Sequence, residues 1–198
     1  MRREDVAELH YIAAIENVSS ILSHGILSHR RAARLPHRSV AKQEVQDLRA
    51  PKVVPGGRPL HEYANLYINA RNPMMFKRKE LHRELCVLQV SPAVLDLDGV
   101  IVTDMNAARG IARFRPVDAG LASVDREMVF AEDWRHPGDF LAYERHQGIM
   151  CAEVLVPDRV DPELIAGAYV SCAEARASLA SFAPGLPIQV NPRMFFAG

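Results

Sequence analysis

The stretch Gly148-Ile149-Met150-Cys151-Ala152-Glu153-Val154-Leu155-Val156-Pro157 sets one carboxylate into an apolar run closed by proline, a pattern that reads as a strand. A charge placed there has two explanations. It faces water from a sheet edge, or it is a catalytic acid on a rigid support, opposing the positive charge of an oxocarbenium-like transition state. The other candidates are mostly cationic. His29, Arg30, Arg31, Arg34, His37 and Arg38 form the main basic cluster, with Arg49 further along. The cluster is either a solvated face balanced by acids elsewhere or a patch for the phosphates of a dinucleotide or a nucleic-acid backbone. Arg71 ends a strand-like segment, where it suits a phosphate or a core carboxylate equally. His10 ends the opening strand, as a structural residue or one reaching a ligand. Trp134, Arg135, Phe140 and Tyr143 mix aromatic and polar groups between residues 125 and 147. That composition fits either recognition by stacking or plain core filling.

The elements that must position these residues are short. Residues 8–12 read as a first strand, followed by a helix carrying Val18, Ile21 and Leu22 and stopped by Gly25. Residues 40–48 read as a helix with Arg49 at its end, and the proline- and glycine-rich residues 50–59 as a loop. Strands are expected at 64–70, 84–91, 100–103, 148–157, 168–172 and 187–191. A turn at Arg71-Asn72-Pro73 leads into a helix, Ser91-Pro92 starts a helical turn, and Thr103-Asp104 caps a helix over 105–113. Residues 114–145 read as a long loop or short helices, and Ala173–Phe182 as an alanine-rich helix with Ser171 as cap. Many short strands and few helices predict an α+β fold of two small, mainly antiparallel sheets around a cleft, with peripheral helices, in a single domain over residues 1–198.

Composition excludes some classes. The 198 residues carry 24 lysines plus arginines against 24 aspartates plus glutamates, so nucleic-acid binding must come from a local patch. Cys86, Cys151 and Cys172 lack CxxC spacing and are odd in number, which predicts free thiols in a reducing cytoplasm, without a structural metal. Residues 1–20 are charged throughout, and no apolar run approaches the roughly 18 residues of a spanning helix. A cytoplasmic protein with no membrane contact is the expectation. There is no Walker loop and no GxGxxG.

Four stretches in order, Leu9-His10-Tyr11-Ile12, Ser23-His24-Gly25-Ile26-Leu27, Tyr67-Ile68-Asn69-Ala70-Arg71-Asn72-Pro73-Met74-Met75 and Cys151 to Pro157, resemble the DarT family of bacterial DNA ADP-ribosyltransferase toxins from toxin–antitoxin pairs. The resemblance runs from about residue 8 to the C-terminus. It implies an ADP-ribosyltransferase fold with NAD, as substrate, bound in a cleft, and ADP-ribose transferred to a base of single-stranded DNA. Glu153 falls on the family's strand glutamate and Arg49 on its helix-end arginine, which makes these two the catalytic residues; no metal is implied. His10, Tyr11, Asn69 and Arg71, with Arg49, are the expected NAD contacts. Arg31, Arg34, Arg38, Trp134, Arg135 and Tyr143 are the expected DNA contacts. The turn Tyr-Ile-Asn-Ala-Arg-Asn replaces the Phe-Tyr-Phe-Cys-Pro-Arg-Ser of the thymidine-modifying branch, and Arg49 stands alone in its helix, so the chain looks closer to the guanine-modifying branch. A DarG-like macrodomain antitoxin is the implied partner. The competing readings are transfer to RNA or protein, hydrolysis of NAD without an acceptor, and an inactive nucleic-acid-binding relative.

Overall fold

Short strands rich in β-branched and aromatic residues build one large sheet, and brief polar turns connect them. The computed structural model describes residues 1–197. Its elements run β1 (Leu9–Ala14), α1 (Val18–His24), β2 (Ile26–Leu27), α2 (His29–Ala32), α3 (Gln43–Arg49), β3 (Tyr63–Tyr67), α4 (Pro73–Phe76), β4 (Leu85–Val90), β5 (Ile101–Thr103), β6 (Phe114–Pro116), α5 (Val117–Ser123), α6 (Arg126–Val129), α7 (Phe140–Met150), β7 (Glu153–Pro157), β8 (Arg159–Val160), β9 (Ile165–Val170), α8 (Ala173–Phe182) and β10 (Ile188–Val190).

The α+β class and the mainly antiparallel pairing agree with the sequence reading, but the strands join. Eight form a single sheet in the order β10-β9-β4-β1-β3-β7-β5-β6, and β2 with β8 makes a separate ribbon. Only β9 and β10 pair in parallel among the described residues. The two halves of the large sheet meet at β1 and β3, whose register is a single position, His10 opposite Tyr67. Beyond that position the strands part. Tyr11 to Ala14 on one side and Tyr63, Asn65 and Tyr67 on the other line the cavity so opened. A sheet held at one point and splayed beyond it produces the cleft that two separate sheets were expected to form.

Alternation along β7 sorts its side chains between two cores. Val154 and Val156 join the main apolar cluster with Leu66, Leu88, Val102, Leu121 and Leu179, under α5 and α8. Leu155 packs on the opposite face with Val54, Leu60, Tyr63 and Ala107, and Glu153, two residues away, points to that same face. Farther along it Ile12, Tyr67, Met75, Val87, Cys151 and Phe195 form a third cluster.

Several element boundaries depart from the sequence reading. Residues 148–150 belong to α7, which Asp139 caps by accepting the Ala142 N–H, so the strand begins only at Glu153. No helix spans 105–113. The Asp104 carboxylate accepts the Arg113 N–H at 2.9 Å and Asn106 donates to Gly148 O at 2.8 Å, which hold that segment as a loop against α7. Cys86 and Cys151 are buried free thiols, pushed up to about 12 by burial, whereas Cys172 is only half-buried. No helix among the described residues is long and apolar enough to cross a membrane.

Candidate active site

Glu153 is the first residue of β7 and lies opposite Tyr67, the last of β3. Its backbone is held by one hydroxyl: Thr103 Oγ1 accepts the Glu153 N–H at 3.2 Å and donates to the Glu153 carbonyl at 3.4 Å. Its carboxylate is fully buried. A buried charge is costly unless it is paired and hydrogen-bonded. Arg49, brought in at the end of α3, places Nη1 3.0 Å from both carboxylate oxygens, and the Ala107 N–H donates to Oε1 at 3.0 Å. The sheet-edge explanation of Glu153 is therefore excluded: the residue sits in a strand paired on both sides, one layer behind the cavity wall that Arg49, Tyr67 and Cys151 line.

Burial opposes the charge on Arg49, but Glu153 outweighs it and holds the guanidinium pKa above its usual value. Only Nη1 is engaged; Nε and Nη2 have no hydrogen-bond partner among the described residues, and Arg49 lines a cavity of about 410 Å³. Tyr67 also lines it, its phenol pushed well above the usual value by burial and by the Glu153 charge. His29 and His61 stack at 4.2 Å on the wall, and burial lowers the pKa of both. The result is a buried carboxylate, a guanidinium with free donors, two imidazoles held toward the neutral form, and tyrosine rings. Such a site can stabilise a developing cation and grip an anion.

A second layer fixes the Ala107 N–H. Lys52 Nζ donates to Ala107 O at 3.0 Å and to Arg109 O at 2.6 Å, while Arg109 pairs with Glu144 at 2.9 Å. The sequence offers no sign of this clamp, and it reads Thr103 as a helix cap rather than as the hydroxyl that holds the Glu153 backbone. A backbone N–H carries no residue-type signal, and Lys52 reads as a loop lysine until its acceptors are known.

The expected NAD contacts divide. Tyr11 and Arg49 line the cavity, but His10, Asn69 and Arg71 do not. The His10 ring faces Ile68 O at 3.2 Å and the Glu8 carboxylate at 3.0 Å, beneath the turn that follows β3. Asn69 ties that turn, donating to Val129 O and accepting the Arg71 N–H. Arg71 extends the other way, donating to Arg193 O and Glu132 O and lying 4.2 Å over the Phe196 ring. Among the expected DNA contacts, Arg38 lines the cavity and pairs with Glu84 and Glu16. Arg31 and Arg34 are exposed but do not line it. Trp134 is buried, edge-on to Phe76 and Phe196, so it is core rather than a stacking platform. Arg135 is exposed and paired with Asp133, whose pKa it lowers to about 2. Tyr143 is half-buried on α7, away from the cavity.

Known proteins share this architecture. The chain is 31% identical over 200 residues to a DNA ADP-ribosyl transferase–DNA ADP-ribosyl glycohydrolase fusion protein of Thermosipho africanus, covering 96% of this chain and 49% of the fusion. It thus spans about half the length of that relative. A DNA ADP-ribosyl transferase of Thermus sp. is 26% identical over 180 residues, with 79% of this chain and 85% of the relative covered. The structure of Thermosipho africanus DarTG in complex with ADP-ribose superposes with a TM-score of 0.83 at 28% identity, over 96% of this chain and 51% of that one. Thermus sp. DarT in complex with ADP-ribosylated ssDNA gives 0.79 at 23% identity, over 96% and 97%, a likeness of fold. Residues 10–196 match the family described as "ssDNA thymidine ADP-ribosyltransferase, DarT", and the chain belongs to the DarT family.

Proposed function

We propose that this protein transfers ADP-ribose from NAD to a base of single-stranded DNA, releasing nicotinamide, with guanine preferred over thymine. The observation that carries the reading is the fully buried Glu153 carboxylate directly behind the cavity-lining Arg49, gripped by Arg49 and the Ala107 N–H. Cleavage of the nicotinamide–ribose bond leaves the electron pair on nicotinamide and develops positive charge on the ribose. A carboxylate fixed in a low-dielectric site is an efficient counter-charge to that cation. A base nitrogen then bonds to the ribose carbon and gives up its proton, and Glu153 is assigned as the group that accepts it.

Arg49 pairs with Glu153 through Nη1 and has N–H groups left over for a pyrophosphate or an acceptor base. Tyr11 lines the same wall and suits the NAD, and Arg38 at the rim suits a DNA phosphate. Support for guanine is the turn from Tyr67 to Asn72 and the isolated Arg49, both unlike the thymidine-modifying pattern; the family description itself names thymidine. The Thermosipho relative is fused to a DNA ADP-ribosyl glycohydrolase, which supports an antitoxin partner that removes the modification.

The test is mass spectrometry of single-stranded oligonucleotides, each with one modifiable base, incubated with NAD and either the wild type or Glu153→Ala. The expected result is an ADP-ribose increment on the guanine oligonucleotide that the variant loses. An increment on the thymine oligonucleotide alone would overturn the base preference. No increment on any DNA would move the acceptor to RNA or protein.

A further inference from the structure

Arg71, which the catalytic cavity does not use, lines a second concavity, with Trp134 packed behind its aromatic rings. Its lining includes Arg71, Phe76, Lys79, Arg193 and Phe196. We infer that this groove is a second docking site for the single-stranded DNA, holding nucleotides outside the one that enters the cavity. The inference rests on the DNA-modifying function proposed above.

Cations lie directly on aromatic faces here. The Arg71 guanidinium is 4.2 Å from the Phe196 centroid and Lys79 Nζ is 4.9 Å from the Phe76 centroid. Phe76 is 41% exposed and Phe196 half-buried, so both rings present a face at the groove. Trp134 packs edge-on behind both rings, at 5.4 Å from Phe76 and 5.9 Å from Phe196, and holds them upright. Phe196 adopts φ 56, a left-handed backbone that a bulky side chain takes up only when its surroundings impose it.

The charges are unbalanced toward the positive. Arg71 donates only to carbonyl oxygens, and Lys79 has no carboxylate partner among the described residues. Arg193 pairs with Glu132 at the surface, where both side chains are largely exposed, a contact that a phosphate can replace at little cost. Burial and the neighbouring Arg193 charge push the Arg71 pKa down, a repulsion that an anion between them would relieve. Cations beside exposed rings are the combination that grips a single strand, the cations on phosphates and the rings under bases.

The groove also lies next to the cavity. Met74, Lys77 and Arg78 line the cavity while Phe76 and Lys79 line the groove, so α4 and the turn after it form a shared wall. A strand leaving the cavity over Lys77 has only to cross α4 to enter the groove.

The experiment compares a single-stranded oligonucleotide of about 4 nucleotides with one of about 16, a range that brackets common single-strand site sizes. Affinity of the wild type and of a Lys79→Glu/Arg193→Ala variant is measured by fluorescence anisotropy without NAD, over a salt series. The variant is expected to bind the long oligonucleotide about tenfold or more weaker, with a salt slope smaller by about 1.4, or roughly 0.7 for each lost phosphate contact. Binding of and transfer to the short oligonucleotide stay at wild-type level. Phe76→Ser is expected to weaken the long oligonucleotide about fivefold or more with the slope unchanged, because the ring carries no charge; a thermal melt accompanies it. Equal affinity and slope for wild type and the charge variant on the long oligonucleotide would overturn the groove, with the transfer reaction untouched. Weakened binding in the variant, in a protein that transfers ADP-ribose to no DNA, would uphold the groove and sink the proposed reaction.

Discussion

Glu153 and Arg49 are a buried ion pair with an unequal division of labour. Removing one partner of such a pair leaves the other charge uncompensated and costs about 3–5 kcal/mol, whereas replacing both with apolar groups of similar size is often neutral. Glu153→Gln is therefore expected to lower transfer by about 100-fold or more and also to lower the melting temperature. Arg49→Met/Glu153→Gln should regain the melting temperature without regaining activity. A double variant no more stable than Glu153→Gln would show that the two charges are not coupled. Away from the cavity, Glu8 accepts from His10, Tyr169 and Gln89, and the His10 contact leads in holding its pKa below the usual carboxylate value. The folded state thus favours the ionised form. Its contribution to stability is complete above the ordinary carboxylate pKa and disappears as pH falls through the lowered folded value. Urea midpoints taken from about pH 6 down to about pH 3 should fall more steeply for the wild type than for Glu8→Gln.

Among the elements, the loop from Asp104 to Arg113 acts as a lid on the carboxylate because Lys52 fixes two of its carbonyls. Lys52→Met frees the Ala107 N–H that points at Glu153 Oε1. The expected effect is a fall in kcat of about tenfold to 100-fold, the scale set by small misplacements around a reacting centre. The KM for NAD and the melting temperature should change little; a KM effect alone would place Lys52 in binding instead. Gly25 closes α1 with φ +88, and a Cβ there would stand 2.2 Å from Val160 O in the β2–β8 ribbon. Gly25→Ala combines a left-handed backbone with a backbone clash, so chemical denaturation should show a loss of more than about 2 kcal/mol.

For the whole molecule, balanced charge leaves DNA attraction to local features. The cavity rim at Arg38, Lys77 and Arg78 and the groove at Arg71 and Lys79 lie on either side of α4. In the proposed reaction an acceptor base must enter the cavity in front of Arg49, behind which Glu153 has no solvent exposure, and a base stacked in a duplex cannot do so without extrusion. Duplex oligonucleotides should accordingly be modified at least about tenfold more slowly than the same strand alone, measured as initial rates of nicotinamide release. Equal rates would mean that the protein unstacks the base itself.

The sequence alone determined the strands with strong patterns, the Gly25 stop, the α+β class and the standing of Glu153, while Arg49 stood out only through the resemblance to the DarT family. Those signals are local: an apolar run, a glycine where the backbone must turn left, a carboxylate out of place in a strand. Tertiary structure decided the rest. Whether β1 and β3 belong to one sheet depends on a single long-range pairing, His10 with Tyr67, which no window of residues contains. The helix expected over 105–113 lost to Asp104 and to the contact with Gly148, and α7 took residues 148–150 from the strand because Asp139 and the buried face of Ile149 and Met150 favoured it. His10, Asn69, Arg71 and Trp134 carry side chains suited to ligands, yet side-chain type does not say which way a residue faces. Their directions were set by Glu8, Val129, Phe196 and Phe76, partners brought near by the fold and in most cases distant in sequence.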